Sequence, residues 1–334
     1  LSKLLPLLLN PVVAVTAPFK SMAPLPVTLK ILVLTLLLKV KALPVRSMPP
    51  APVVANAPLK VVVPVPAFQC LHEVPAAIGC RVVTLDLLEG GGYRLDIDRL
   101  AEAITDRTRL IVINNPHNPI GWTLDEAELR SLGEIARDRD VHLLFDEHYR
   151  FLPLEPGTGL VPSGYDVCRP LHARTYATGS MIKCFGIVGI RIGWLIADQE
   201  TISLCRDYKD YLSHTIPLVT DRLAALGLEH RDAVIQAQKA RILPNLEALC
   251  AFMVRHEGAF DFVPPTGGVV CFPRLRATID VPRFCERLVE EHGVSLLPGF
   301  GFGVPDHLRL NFGIDTDSFS EALRRIEGLL DSLP

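Results

Sequence analysis

Glycine, aspartate and glutamate are all missing from the first 72 residues of this 334-residue chain, where Leu, Val, Pro, Ala and Lys dominate. At ordinary usage about a dozen of the missing types would fall in such a stretch, and they resume only at Glu73 and Gly79. That composition does not suit a native globular segment. A membrane-spanning reading fails on length: Ile31 to Leu38 is short and flanked by lysines, well under the roughly 20 apolar residues that a spanning helix needs. A disordered proline-rich tail fits poorly with so many aliphatic side chains. The favoured reading is that residues 1–58 do not carry the native sequence, as a shifted reading frame would produce.

The rest of the chain is also defined by what it has little of. Its eight cysteines form no C-x-x-C pair and no His/Cys cluster at metal-ligand spacing, so no metal site is expected. They read as free, mostly buried thiols of a cytoplasmic protein. A net charge of −3 with no basic cluster argues against a nucleic-acid partner. Length alone implies more than one core, hence two domains.

From about residue 60 short apolar strands alternate with helices. Val61 to Val65, Arg81 to Leu87, Leu110 to Ile113, Val141 to Phe145, Thr175 to Thr178 and Ile192 to Ile196 read as strands. Leu95 to Ile104 and Leu124 to Arg137 read as amphipathic helices, the second capped by Thr123 or Asp125. This pattern predicts an α/β fold with a mostly parallel sheet wrapped by helices. A long helical stretch from Arg222 to His256 leads into a smaller C-terminal unit. That unit has strands around Gly268 to Pro273 and near Val294 and Leu308, and helices Val281 to His292 and Ser318 to Leu333. The triplet Gly90-Gly-Gly92 lacks the G-x-G-x-x-G spacing and reads as a hairpin or loop.

Lys183 carries the strongest chemical signal. It lies in Gly179-Ser-Met-Ile-Lys-Cys-Phe-Gly-Ile-Val-Gly-Ile-Arg-Ile-Gly193, among apolar residues and glycines that would leave its ammonium poorly solvated. A desolvated amine suits Schiff-base chemistry on a carbonyl. Ser180 and Arg191 can hold a phosphate by hydroxyl and guanidinium fork. In open parallel sheets ligands sit at the carboxyl ends of the strands, and Asn114, Asp146 and Ser180 all follow strands. Asn118, in a loop made rigid by prolines, can donate to a phenolate-like oxygen. Asp146 needs a cationic partner or donors, and a capping or core ion-pair role would also satisfy it. Tyr149 either points into the same crevice or simply packs. Arg309, in an apolar strand, has the fork that suits a carboxylate, unless it lies on an exposed edge.

Taken in order, Asn-Pro-x-Gly, Asp-x-x-Tyr, Ser-x-x-Lys with Arg191 eight residues later, and Arg309 before Phe312-Gly313 resemble one family. It is the pyridoxal-phosphate aminotransferases of fold type I, the aspartate aminotransferase superfamily. The likeness covers roughly residues 60–334, with Pro265-Thr-Gly-Gly-Val and Gly293-Val-Ser-Leu-Leu-Pro-Gly similar to the family's small-domain strands. The resemblance implies pyridoxal 5'-phosphate as cofactor, an amino acid as substrate, and a homodimer. It gives Lys183 the Schiff base and the proton shuttle. Asp146 pairs with the ring nitrogen, and Asn118 and Tyr149 contact the phenolic oxygen. Ser180 and Arg191 hold the phosphate, Arg309 the substrate carboxylate, and Phe68 stacks on the ring.

Two departures stand out. The family's phosphate-binding turn, expected some 20 residues before Phe68, has no counterpart between Leu43 and Leu59, and Ile120 replaces a small hydroxyl residue. Within the superfamily, Asp106 to Pro119, Gly186 to Trp194 and Arg206 to Ser213 look most like the capreomycidine synthases and their relatives, which eliminate and cyclise a hydroxylated arginine. The expected division is a segment 1–58, a cofactor-binding domain 59–220, and a linking helix with a small domain 221–334. The leading activity is transamination of an amino acid. Elimination with cyclisation is the alternative within the class, and a non-catalytic effector-binding relative is the alternative outside it.

Overall fold

The computed structural model describes residues 58–87, 92–155, 159–276 and 279–333. The segment read as non-native, apart from Pro58, lies outside the described residues, as do the place of the absent phosphate turn (except Pro58 and Leu59) and the first two glycines of the triplet. Described structure begins with β1 (Lys60–Val65), α1 (Cys70–Ala77) and β2 (Arg81–Asp86). Next come α2 (Ile97–Ala103), β3 (Thr108–Asn114), α3 (Glu126–Asp138) and β4 (His142–Asp146). Then follow α4 (Gly164–Cys168), β5 (Thr175–Ser180) and β6 (Gly193–Ile196).

These strands form a six-stranded sheet of order β2-β1-β3-β4-β5-β6. Strands β1 to β5 are parallel, and β6 returns antiparallel to β5. Both faces are covered, which is why the central strands are nearly continuous apolar runs. Val61 and Val63 pack with Leu71, Leu110 and Leu144 on one face. Val62, Ile111, Ile113 and Phe145 pack against Leu100, Leu129 and Leu132 on the other, as the two-residue strand period requires. Of the two expected caps for α3, Asp125 is the one used. It accepts from Glu128 N while the Glu128 carboxylate accepts from Asp125 N, a reciprocal capping box.

The expected long helix is two. After α5 (Gln199–Lys209), α6 (Leu218–Glu229) and α7 (Arg231–Arg255) are separated at His230, whose ψ of 25° leaves the helical range. Beyond them lie β7 (Phe260–Asp261), β8 (Val270–Cys271), β9 (Arg274–Leu275) and α8 (Val281–His292). The chain closes with β10 (Leu297–Pro298), β11 (Leu308–Asn311) and α9 (Thr316–Asp331). β10, β11 and β8 make an antiparallel three-stranded sheet, and β7 pairs with β9. The core beneath α7, α8 and α9 includes Phe252, Leu288, Phe312 and Ile326, and extends without a break to Met181, Cys184 and Phe185. The lysine loop is therefore anchored in the same apolar core as the C-terminal elements. Five of the eight cysteines are buried. No helix among the described residues is long and apolar enough to cross a membrane.

Candidate active site at the carboxyl ends of the parallel strands

Adjacent strands β3, β4 and β5 end at Asn114, Asp146 and Ser180, with Asn114 opposite Asp146 and Asp146 opposite Thr178. One crevice therefore receives all three, as expected from the topology. Asn114 organises its floor. Its Nδ2 donates to Asp146 O at 2.8 Å, and its Oδ1 accepts from Asn118 N at 2.7 Å. The loop between β3 and α3 is thereby held over the strand ends. His117 fills that loop from beneath, with Nδ1 3.1 Å from Asn114 O and Nε2 2.8 Å from Pro66 O. Burial pushes its pKa down, against the two carbonyls and Asp146, which favour the charged ring. The same loop meets the C-terminal part at Gly121, whose carbonyl accepts from Thr266 N at 2.8 Å and Gly267 N at 2.9 Å. A side chain there would meet Pro265 and would lie 2.5 Å from Val270 O. Only glycine fits.

Asp146 is 2% exposed, and His148 Nδ1 stands 2.5 Å from its Oδ1. Tyr149, 4% exposed, lies beneath the lysine: Lys183 Nζ is 5.9 Å from the centroid of its ring. Burial raises the Tyr149 hydroxyl pKa strongly; the Arg309 guanidinium opposes this and the Asp146 charge adds to it. Arg309 reaches in from β11. Its Nη1 donates to Asn118 Oδ1 at 3.2 Å, and its guanidinium lies over the Phe302 ring at 5.3 Å. Burial lowers its pKa, with Tyr149 opposing. An amide and a ring face thus fix the orientation of the fork.

One expectation is corrected. Lys183 is exposed, not enclosed by its apolar neighbours. Met181, Cys184 and Phe185 turn inward to the core, and Cys184 Sγ donates to His148 O at 3.0 Å. The loop spends its apolar side chains on that anchorage and directs the lysine outward over Tyr149. Ser180 is buried at the end of β5, its Oγ accepting from Ile182 N at 3.4 Å. Arg191 is exposed, with a left-handed φ of 53° and Nη1 donating to Val188 O at 3.4 Å. It precedes Gly193, which pairs with Ser180, so hydroxyl and guanidinium flank one turn. Phe68 is half-buried beyond β1, packed on the Val61–Leu71 cluster. It is joined to the crevice through the His117–Pro66 contact and through Gln69 Nε2, which donates to Gly301 O at 2.5 Å.

Asn118, Asp146, Tyr149, Lys183 and Arg309 are thus brought into one cluster, with Ser180 and Arg191 on its lysine-loop side and Phe68 at its β1 side. Sequence reasoning missed His117, His148 and Phe302. No sequence pattern marks His148, because it is the turn after β4 that brings it back onto Asp146. Glu147, between them, turns the other way and accepts from Ser163 Oγ at 2.9 and 3.0 Å. Burial pushes its pKa up to about 7 despite Arg150 and Ser163.

The sequence model of the family described as aminotransferase class I and II matches residues 51–326. The chain belongs to that family. Capreomycidine synthase of Streptomyces vinaceus is 32% identical over 269 residues, covering 80% of this chain and 67% of that protein. A probable N-succinyldiaminopimelate aminotransferase, DapC, of Mycobacterium tuberculosis is 31% identical over 280 residues, covering 80% and 70%. Among solved structures, the PLP-dependent cyclase OrfR superposes with a TM-score of 0.75 at 29% identity, covering 89% of this chain and 75% of that one. The protein is a pyridoxal-phosphate enzyme of fold type I. As members of this aminotransferase family are enzymes, the effector-binding alternative falls away. The donor set suits the cofactor: an amine for its aldehyde, a buried carboxylate for its ring nitrogen, an amide and a phenol for its phenolic oxygen, and a hydroxyl and guanidinium for its phosphate.

Proposed function

We propose that the chain acts on the α-carbon of an amino acid through Lys183, in the cytoplasm and as a homodimer. Residues 59–220 form its cofactor-binding domain, and 221–334 its linking helix and small domain. The supporting observation is the Lys183 amine standing over the ring of Tyr149, a residue whose hydroxyl feels the charges of both Asp146 and Arg309. Bound pyridoxal phosphate supplies an electron sink for charge that develops at the substrate α-carbon. Lys183 moves the proton from and to that carbon. Asp146 keeps the ring nitrogen protonated, while Asn118 and Tyr149 hold the phenolic oxygen. Ser180 and Arg191 bind the phosphate, Phe68 covers the ring face, and Arg309 takes the substrate carboxylate by its fork. Exposed Tyr211, Leu218 and Val219 supply an apolar surface that a second copy would cover.

The leading reaction is transamination, the reaction of the family. A second reading, elimination and cyclisation of a hydroxylated arginine, is favoured by the 32% identity to capreomycidine synthase. Both begin with removal of the α-proton, so the residues above serve either. Product analysis separates them. The loaded enzyme is incubated with single amino acids, with arginine and with its hydroxylated forms, each with and without an oxo-acid acceptor. Transamination yields a new oxo acid and an aminated acceptor. Cyclisation yields a dehydrated product that keeps its amino group and needs no acceptor. If no amino acid in the panel exchanges its α-hydrogen with deuterated water, the proposal fails.

A further inference from the structure

His148 is a residue of the site that no part of the proposed chemistry uses, yet its imidazole stands against the Asp146 carboxylate. Its Nδ1 is 2.5 Å from Asp146 Oδ1, with the imidazole largely buried. The contact has the distance of an ion pair without the alignment of a hydrogen bond. Two lone pairs at that separation would repel, so one of the two atoms carries a proton. Imidazole is ordinarily the stronger base of the two, which places the proton on Nδ1, facing the carboxylate. Other groups facing this pair are His117 from the loop after β3, Tyr149 from the same turn, Arg309 behind Tyr149, and Cys184, which donates to the His148 carbonyl. The Cys184 bond fixes the backbone from which the imidazole projects.

We propose that His148 is a positioning residue that sets how much negative charge Asp146 offers to the cofactor's ring nitrogen. The inference rests on the reading of Asp146 given above. An Nδ1–H held against the carboxylate takes up part of its negative charge. Its presence therefore weakens the hold on the ring nitrogen and with it the ring's withdrawal of electrons from the substrate carbon. A merely structural histidine has no such sign, because removing it would loosen the site.

Cofactor affinity, measured by quenching of protein fluorescence, tests this. The parent and His148→Gln are each titrated with pyridoxal phosphate and with its deaza analogue, in which the ring nitrogen is a carbon. The account expects His148→Gln to bind pyridoxal phosphate several-fold more tightly, because the Nδ1–H no longer shares the carboxylate's charge. Affinity for the deaza analogue should not change. Weaker binding of pyridoxal phosphate, or equal shifts for both compounds, overturns the proposal. Histidine ring nitrogen NMR of the apoprotein checks the pair without any cofactor: the His148 Nδ1 proton resonance should move in Asp146→Asn. No movement overturns it. If neither compound binds the parent, the reading of the cofactor site falls, and the NMR result alone decides the contact.

Discussion

Glu147 offers a test of the energetics that is independent of the chemistry. Its carboxyl is buried between β4 and the start of α4, accepting from Ser163 Oγ and, at 3.4 Å, from Tyr165 N, with Arg150 Nε 4.0 Å away. Desolvation outweighs these contacts and raises its pKa from 4.5 to about 7. In the native state the proton is therefore held more tightly than in the unfolded chain. Stability from this group is fully present below the unfolded value and is lost as pH rises through the folded one. At about 1.4 kcal/mol per pKa unit, the loss is on the order of 3 kcal/mol when complete. Glu147→Gln keeps an acceptor for Ser163 and Tyr165 but cannot ionise. Its stability relative to the parent should climb by about 2 to 3 kcal/mol between roughly pH 5 and pH 8, in favour of the variant. Urea denaturation followed by circular dichroism at several pH values gives the difference directly, and contributions from the buried histidines cancel between the two proteins. A flat difference, or a variant that weakens as pH rises, would show that Ser163 and Arg150 compensate the carboxylate in full.

Arg309→Lys should raise KM for the amino-acid substrate about 10- to 100-fold with a smaller change in kcat, because a point charge replaces a fork that binds both carboxylate oxygens; steady-state kinetics checks it. Gly121→Ala should cost roughly 2 to 5 kcal/mol, from left-handed strain and from a side chain forced against Pro265 and the Val270 carbonyl, read as a lowered denaturation midpoint. Asp125→Ala removes the capping box of α3 and should cost about 1 kcal/mol without altering cofactor affinity.

The sheet was legible because its central strands are buried on both faces and bounded by polar turns, so Leu110 to Ile113 and Val141 to Phe145 stood out as apolar runs. Helix α8 was read to the residue, with Asp280 capping its start and Gly293 ending it in the left-handed conformation. Helix α5 was missed because little of it is buried: only Thr201 and Cys205 face the core, too few for an amphipathic period. The break at His230 was missed because residues on both sides favour helix and only the turn of the chain separates α6 from α7. In the site, Asn118, Asp146, Lys183 and Arg309 were legible because each lies in a strand, or in the loop that follows one, with unusual polarity for its setting. The outward aim of Lys183 was not. Composition shows which neighbours are apolar, but not that Met181 and Phe185 would be drawn into the C-terminal core and leave the lysine outside. His148 was hidden for a related reason: a histidine between a carboxylate and a tyrosine carries no pattern until the turn after β4 folds it back onto Asp146.

The central claim is that Lys183 is the lysine bonded to the cofactor. Borohydride reduces a carbon–nitrogen double bond to a single bond that survives proteolysis, so peptide mapping of the loaded and reduced protein reads the attachment directly. The account predicts one phosphopyridoxyl group, on the peptide containing Lys183, and none in Lys183→Ala. A label on any other lysine, or a label that persists in Lys183→Ala, would contradict it.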